Sequence, residues 1–152
     1  MKRICVLFVI LLCGCGNPSM GILPTGLNRD EIMPLSLIEL LYGSDMKLAY
    51  DQRDNREGRA GWAWEEVSGA AKLLLVELYM PPADCDELYN KVKTGAKQLT
   101  APKGMQACCD NRAVYLRLGV YYIRVVTLGL TQTNDALEMI QVRLARTLGA
   151  GR

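Results

Sequence analysis

The chain has 152 residues, half of them hydrophobic, with 18 Lys plus Arg against 16 Asp plus Glu and no histidine. So even a charge balance, without a basic cluster, argues against nucleic acid as the main partner and against a polybasic grip on a membrane surface, since both need concentrated Lys and Arg. The absence of His excludes Ser-His-Asp and Cys-His catalysis and every His-ligated metal site.

The first segment is Met1-Lys-Arg-Ile-Cys-Val-Leu-Phe-Val-Ile-Leu-Leu-Cys-Gly-Cys15. Lys2 and Arg3 form a positive start, and Ile4 to Cys13 is an unbroken apolar run. Such a run is too short for a membrane-spanning helix and has the length of a signal h-region. It ends in Leu12-Cys13-Gly14-Cys15, which resembles the lipobox of bacterial lipoproteins. The resemblance implies a signal peptide over 1–14, cleavage before Cys15, and a diacylglycerol thioether and an acylated amino group on Cys15. It also implies a membrane contact made through lipid at the N-terminus. Gly16 follows, and the lack of Asp at that place points, within the family, to the periplasmic face of the outer membrane. Loss of Lys2 and Arg3 lowers the basic count from 18 to 16, equal to the acidic count.

Residues 15–30 are Gly- and Pro-containing with no apolar period, and read as a tether. Residues 31–152 read as one domain, large enough for a true core. Ile32 to Tyr50 reads as a first helix with Pro34 in its first turn. Asp51 to Gly61 is a charged break. Trp62 to Met80 reads as a second helix, stopped by Pro81-Pro82. Asp84-Cys-Asp-Glu87 has the form of a capping box opening a third helix, with Gly95 as a C-cap. Ala107 to Leu130 reads as a long buried helix, and Asp135 opens a last helix ending near Gly149. The fold class predicted is all-α, a bundle of four or five helices.

On the second helix, Trp64, Val67, Ala71, Leu74 and Leu78 make one apolar seam. Trp62, Leu73, Val76 and Met80 make another on nearly the opposite side. A small bundle needs one such face, so the second seam is either covered within the bundle or is a partner groove. After cleavage and lipidation, Cys85, Cys108 and Cys109 remain. In an oxidising compartment one disulfide is expected, joining Cys85 to Cys108 or Cys109. This requires the third and fourth helices to run side by side in one direction.

No paired carboxylates or phosphate loop appears, so no enzyme activity, cofactor, metal or small-molecule substrate is expected. The resulting expectation is a lipid-anchored, non-catalytic envelope protein that binds another envelope protein, in assembly of a secretion, conjugation or pilus apparatus. In architecture it is similar to pilotin lipoproteins, an analogy without a matched motif. The alternative is an immunity or inhibitor lipoprotein acting on a toxin or wall hydrolase, with the charged stretch Asp51 to Arg59 as its contact loop.

Overall fold

The computed structural model describes residues 27–54, 58–69, 71–80, 85–130 and 133–149. It is built on a sheet, not on a helical bundle. In chain order the elements are helices α1 (Arg29–Ile32) and α2 (Leu35–Tyr42), strands β1 (Met46–Asp54), β2 (Arg59–Glu66) and β3 (Leu73–Tyr79), helix α3 (Cys85–Lys93), strands β4 (Lys97–Leu99), β5 (Met105–Cys109), β6 (Val114–Leu118) and β7 (Tyr121–Leu128), and helix α4 (Thr133–Gly149). The strands form one seven-stranded sheet in the order β1-β2-β3-β7-β6-β5-β4. Every pairing is antiparallel. Two meanders, β1 to β3 and β4 to β7, therefore meet where β3 pairs with β7.

The all-α expectation is overturned in two places. The predicted helix over 62–80 is the β2–β3 hairpin, and the predicted helix over 107–130 is β5, β6 and β7. Strands of period two point alternate residues to opposite faces. In these strands the second face also carries apolar residues, such as Leu73, Leu75, Val126 and Leu128, so the residues read as a nearly continuous apolar run that fits either period. Gly119 sits in the middle of the second run with φ of 58°, a left-handed turn conformation that closes the β6–β7 hairpin and that a helix interior does not use. The predicted helix over 32–50 is α1, α2 and the start of β1. Pro34 is the N-cap of α2, in extended backbone.

The helical termini fare better. α3 starts at Cys85 and ends at Lys93, just before Gly95, and α4 spans the last predicted helix. The proposed cap Asp84, the leader and the tether as far as residue 26 lie outside the described residues. The tether's last residues are part of the domain: Leu27 packs on the core, and Asn28 caps α1, its side-chain carbonyl accepting from the Asp30 N–H at 3.0 Å.

One sheet face carries the main core. Trp62, Trp64, Leu74, Val76, Leu78, Leu116, Ile123 and Val125 meet Ile32, Ile38 and Tyr42 from α1 and α2, and Ala136, Ile140 and Leu144 from α4. The second face carries a smaller cluster of Tyr89, Cys108, Ala113 and Tyr115, with α3 laid over β5, β6 and β7. An ion pair between Asp86 and Arg117 ties α3 to β6. α3 is nine residues long, roughly 14 Å, too short to cover a sheet of this width. Among the described residues no helix is laid over the second face of β1, β2 and β3.

Candidate functional site

Among the described residues that half-face is a trough with α3 at one side. The register builds its floor. Along β3 and β7 the facing pairs on this side are Leu73 with Leu128, Leu75 with Val126, Glu77 with Arg124, and Tyr79 with Tyr122. The floor is therefore apolar at one end, ionic in the middle and aromatic at the other. Leu128 is 53% exposed. β2 adds Arg59, Gly61 and Ala63 on the same side, and β1 adds Tyr50, Gln52 and Asp54, which face Ala63, Gly61 and Arg59. A bulge between Leu48 and Tyr50 shifts the register, and it is this extra residue that turns Tyr50 onto the trough side.

The polar end holds about 440 Å³ and is bordered by Tyr50, Gln52, Arg59, Glu77, Tyr122 and Arg124. The Arg124 guanidinium lies 2.6 Å from a Glu77 carboxylate oxygen. That pairing raises the Arg124 pKa further, so its charge is permanent. The Arg59 guanidinium sits 5.3 Å from the centre of the Tyr79 ring, within cation–π range. Tyr50 donates its hydroxyl hydrogen to the Gln52 side-chain oxygen. Its ring lies over Gly61, where a Cβ would come within 3.2 Å of the ring. Tyr122 stacks with Tyr115 at 6.4 Å between ring centres. Burial, and then the neighbouring Tyr115, push the Tyr122 hydroxyl up to about 12, so it is a neutral hydrogen-bonding group at physiological pH. The trough therefore offers aromatic faces, fixed charges of both signs and an apolar end. This suits recognition of an amphipathic surface.

The perturbed groups outside the trough have structural causes. Glu66 is held below the ordinary carboxylate range by Lys72, 3.0 Å away. Asp110 is lowered by the backbone N–H groups of Arg112 and Ala113, which it accepts at 2.7 and 2.9 Å. Burial raises the Cys108 thiol, which makes it a poor nucleophile. Among the described residues no three His, Cys, Asp or Glu side chains converge as a metal site. No helix among them is long and apolar enough to cross a membrane.

The predicted partner seam does not stay together. Trp62 and Val76 are in the main core at 3% and 1% exposure, Leu73 faces the trough, and Met80 is partly buried against the main core. Helical spacing grouped them, whereas strand alternation sends Leu73 to the face opposite Val76. The residues that border the trough, Tyr50, Arg59, Tyr79, Tyr122 and Arg124, were not among those the sequence singled out. Their signal was alternation, in Glu77-Leu-Tyr79 and Tyr122-Ile-Arg124, each polar residue two apart across a core residue.

The expected disulfide is not formed among the described residues: Cys85, Cys108 and Cys109 are not bonded to one another. Cys108 faces α3, whereas its neighbour Cys109 points to the other side of β5. The Cys85 thiol donates to the Gly119 carbonyl at 3.2 Å. Gly119 lies four positions beyond Tyr115, the partner of Cys108. That separation is roughly 13 Å along the strand, against the ~7 Å limit between bridged Cα atoms. Cys15, the lipidation candidate, lies outside the described residues.

No family model, no curated protein and no solved structure matches the chain.

Proposed function

We propose that this is a lipid-anchored, non-catalytic envelope protein whose domain binds another envelope protein through the trough on the second sheet face. The observation that carries the reading is the graded floor of β3 and β7, from Leu73–Leu128 through Glu77–Arg124 to Tyr79–Tyr122. Its complement is an amphipathic protein segment. Aliphatic side chains would lie over Leu73, Leu75 and Leu128, and charged or hydrogen-bonding groups over Arg59, Arg124 and the tyrosines. Tyr and Arg are the side chains that most often dominate binding energy at protein interfaces. The lipobox Leu12-Cys13-Gly14-Cys15 supports placement on a membrane, with the outer membrane's periplasmic face as the proposed site. Assembly of a secretion, conjugation or pilus apparatus is the setting this reading favours.

Site-specific photo-crosslinking in the cells of origin tests it. A photoreactive residue at Tyr50 or Tyr79 should capture one envelope protein, whereas the same residue at Val67, on a distant turn, should not. The captured protein should then bind the purified wild-type chain directly and lose about tenfold or more in affinity to Arg59→Ala plus Tyr79→Ala, as for removal of interface anchors. Equal labelling from all three positions, or unchanged affinity, rejects the trough as the binding face.

The inhibitor reading draws on one feature. The described ends of the charged stretch, residues 51–54 and Arg59, lie in the paired strands β1 and β2, and Asp54 and Arg59 border the trough. If the captured protein were a toxin or a hydrolase and were inactivated on binding, that reading would replace assembly.

A further inference from the structure

α4 buries Ala136, Ile140, Leu144 and Leu148 against the sheet. Its outer side leaves Met139 and Val142 at 42% and 50% exposure. These two, with Leu37 of α2, form the apolar part of an open groove between α2 and α4. Leu40, one turn beyond Leu37 on α2, is 70% exposed. The exposed stripe of α4 reads Asp135, Met139, Val142, Arg146 in chain order. Its steps of four, three and four are those of a helix–helix seam.

The stripe is its own complement when reversed. Placed antiparallel to a second copy about a twofold axis between residues 140 and 141, Met139 meets Val142 of the other chain. Asp135 then meets Arg146 at each end. A twofold interface requires this reciprocity, residue i against j and j against i. The helix dipole accounts for an acidic residue near the start of α4 and a basic one near its end. It does not account for two large apolar residues left exposed between them, on the same stripe.

We infer that the domain self-associates as a symmetric dimer through antiparallel packing of α4 on α4 of a second copy, with Met139–Val142 contacts at the centre and Asp135–Arg146 pairs at the ends. The surface is on the opposite side of the sheet from the trough. A dimer would therefore carry two troughs facing away from the shared interface, and this inference does not depend on the trough's role.

Charge reversal tests it. The full chain is studied in a non-ionic detergent by sedimentation velocity, at protein concentrations of tens of micromolar. Wild type should be dimeric. Asp135→Arg and Arg146→Asp should each place like charges at both ends and weaken self-association by on the order of tenfold or more. An equimolar mixture of the two single variants should restore the dimer as a heterodimer, because every end pair is then opposite in sign. Differently tagged chains would co-purify from the mixture and not from either variant alone. Recombination also shows that both variants are folded. A monomeric wild type overturns the inference and leaves the groove to another occupant, such as the chain's own N-terminal segment. Single variants that remain dimeric, or a mixture that fails to recombine, overturn it as well.

Discussion

Leu73 and Leu74 are neighbours with opposite fates. Leu74 is fully buried between Trp64 and Thr127 on the core face. Leu73 faces the trough between Glu65 and Leu128. Leu74→Asp puts an unpaired charge in the core and should cost at least about 3–5 kcal/mol, enough to unfold a domain of this size. Leu73→Asp should cost about 1–2 kcal/mol, from weaker strand propensity and the like charge of Glu65 across the ladder. Chemical denaturation of the two variants beside wild type measures the difference, and similar losses would contradict the strand register. Gly129 makes a second residue-level case. Its φ is 71°, and a Cβ there would lie 2.7 Å from Lys72 Cγ and 3.0 Å from the Ala71 carbonyl oxygen. Gly129→Ala therefore combines backbone strain with a clash, and a loss of about 1–3 kcal/mol is expected in the same assay. It should also disturb Lys72, which pairs with Glu66 and donates to the Ser44 hydroxyl at 3.2 Å. Because Lys72 lowers the folded pKa of Glu66, the unfolded chain takes up the proton first as pH falls. The pair's contribution is present above the ordinary glutamate value of 4.5 and is lost as pH drops through the lowered folded value. Glu66→Gln should thus be less stable than wild type at pH 7, with the gap closing below pH 4.5. A gap that stays constant in acid melts would show that the pair does not act this way.

At the scale of elements, α3 is the piece whose role depends most on its neighbours. It is anchored by the Asp86–Arg117 ion pair and by Tyr89, which is buried beside the Cys108 thiol. With Cys108 and Cys109 on opposite faces of β5, no disulfide is needed to hold it. Mass mapping under non-reducing conditions should find no bond joining Cys85 to Cys108 or Cys109, and a reductant should leave the melting temperature unchanged. A disulfide of this loop size would contribute about 2–4 kcal/mol, and its reduction would show as a clear drop. The same scale shows what was legible in the chain. The α3 and α4 boundaries were readable because helix ends carry local chemistry: acidic residues in the first turn, basic residues in the last, and Gly beyond. β2, β3 and β7 were not, because they lie inside the sheet with apolar residues on both faces. Trp64, Leu74 and Leu78 satisfy a helical spacing as well as an alternating one. The trough was hidden by the same ambiguity, since Tyr79, Tyr122 and Arg124 form a surface only after β3 and β7 pair.

The described residues form three layers: α1, α2 and α4, then the sheet, then α3 over half of its second face. This unequal cover creates the trough, and the tether's last residues, Leu27 and Asn28, already belong to the domain. If Cys15 carries lipid as proposed, the domain sits close to the membrane on the segment 16–26. Cys15→Ser should then leave the precursor uncleaved by the lipoprotein pathway and abolish metabolic palmitate labelling. Labelling at the wild-type level would refute the anchor. What the sequence by itself determined was local: a balanced charge without His, an apolar N-terminal run ending in Leu12-Cys13-Gly14-Cys15, the ends of α3 and α4, and enough apolar residues for a core. The tertiary structure alone decided that residues 59–66, 73–79 and 105–128 pair as strands, that Leu74 rather than Leu73 enters the core, and which face Cys108 occupies. The reason is physical. Capping and signal chemistry act within a few residues along the chain, whereas a strand's hydrogen bonds and the two faces it presents are completed by partners that lie far away in sequence.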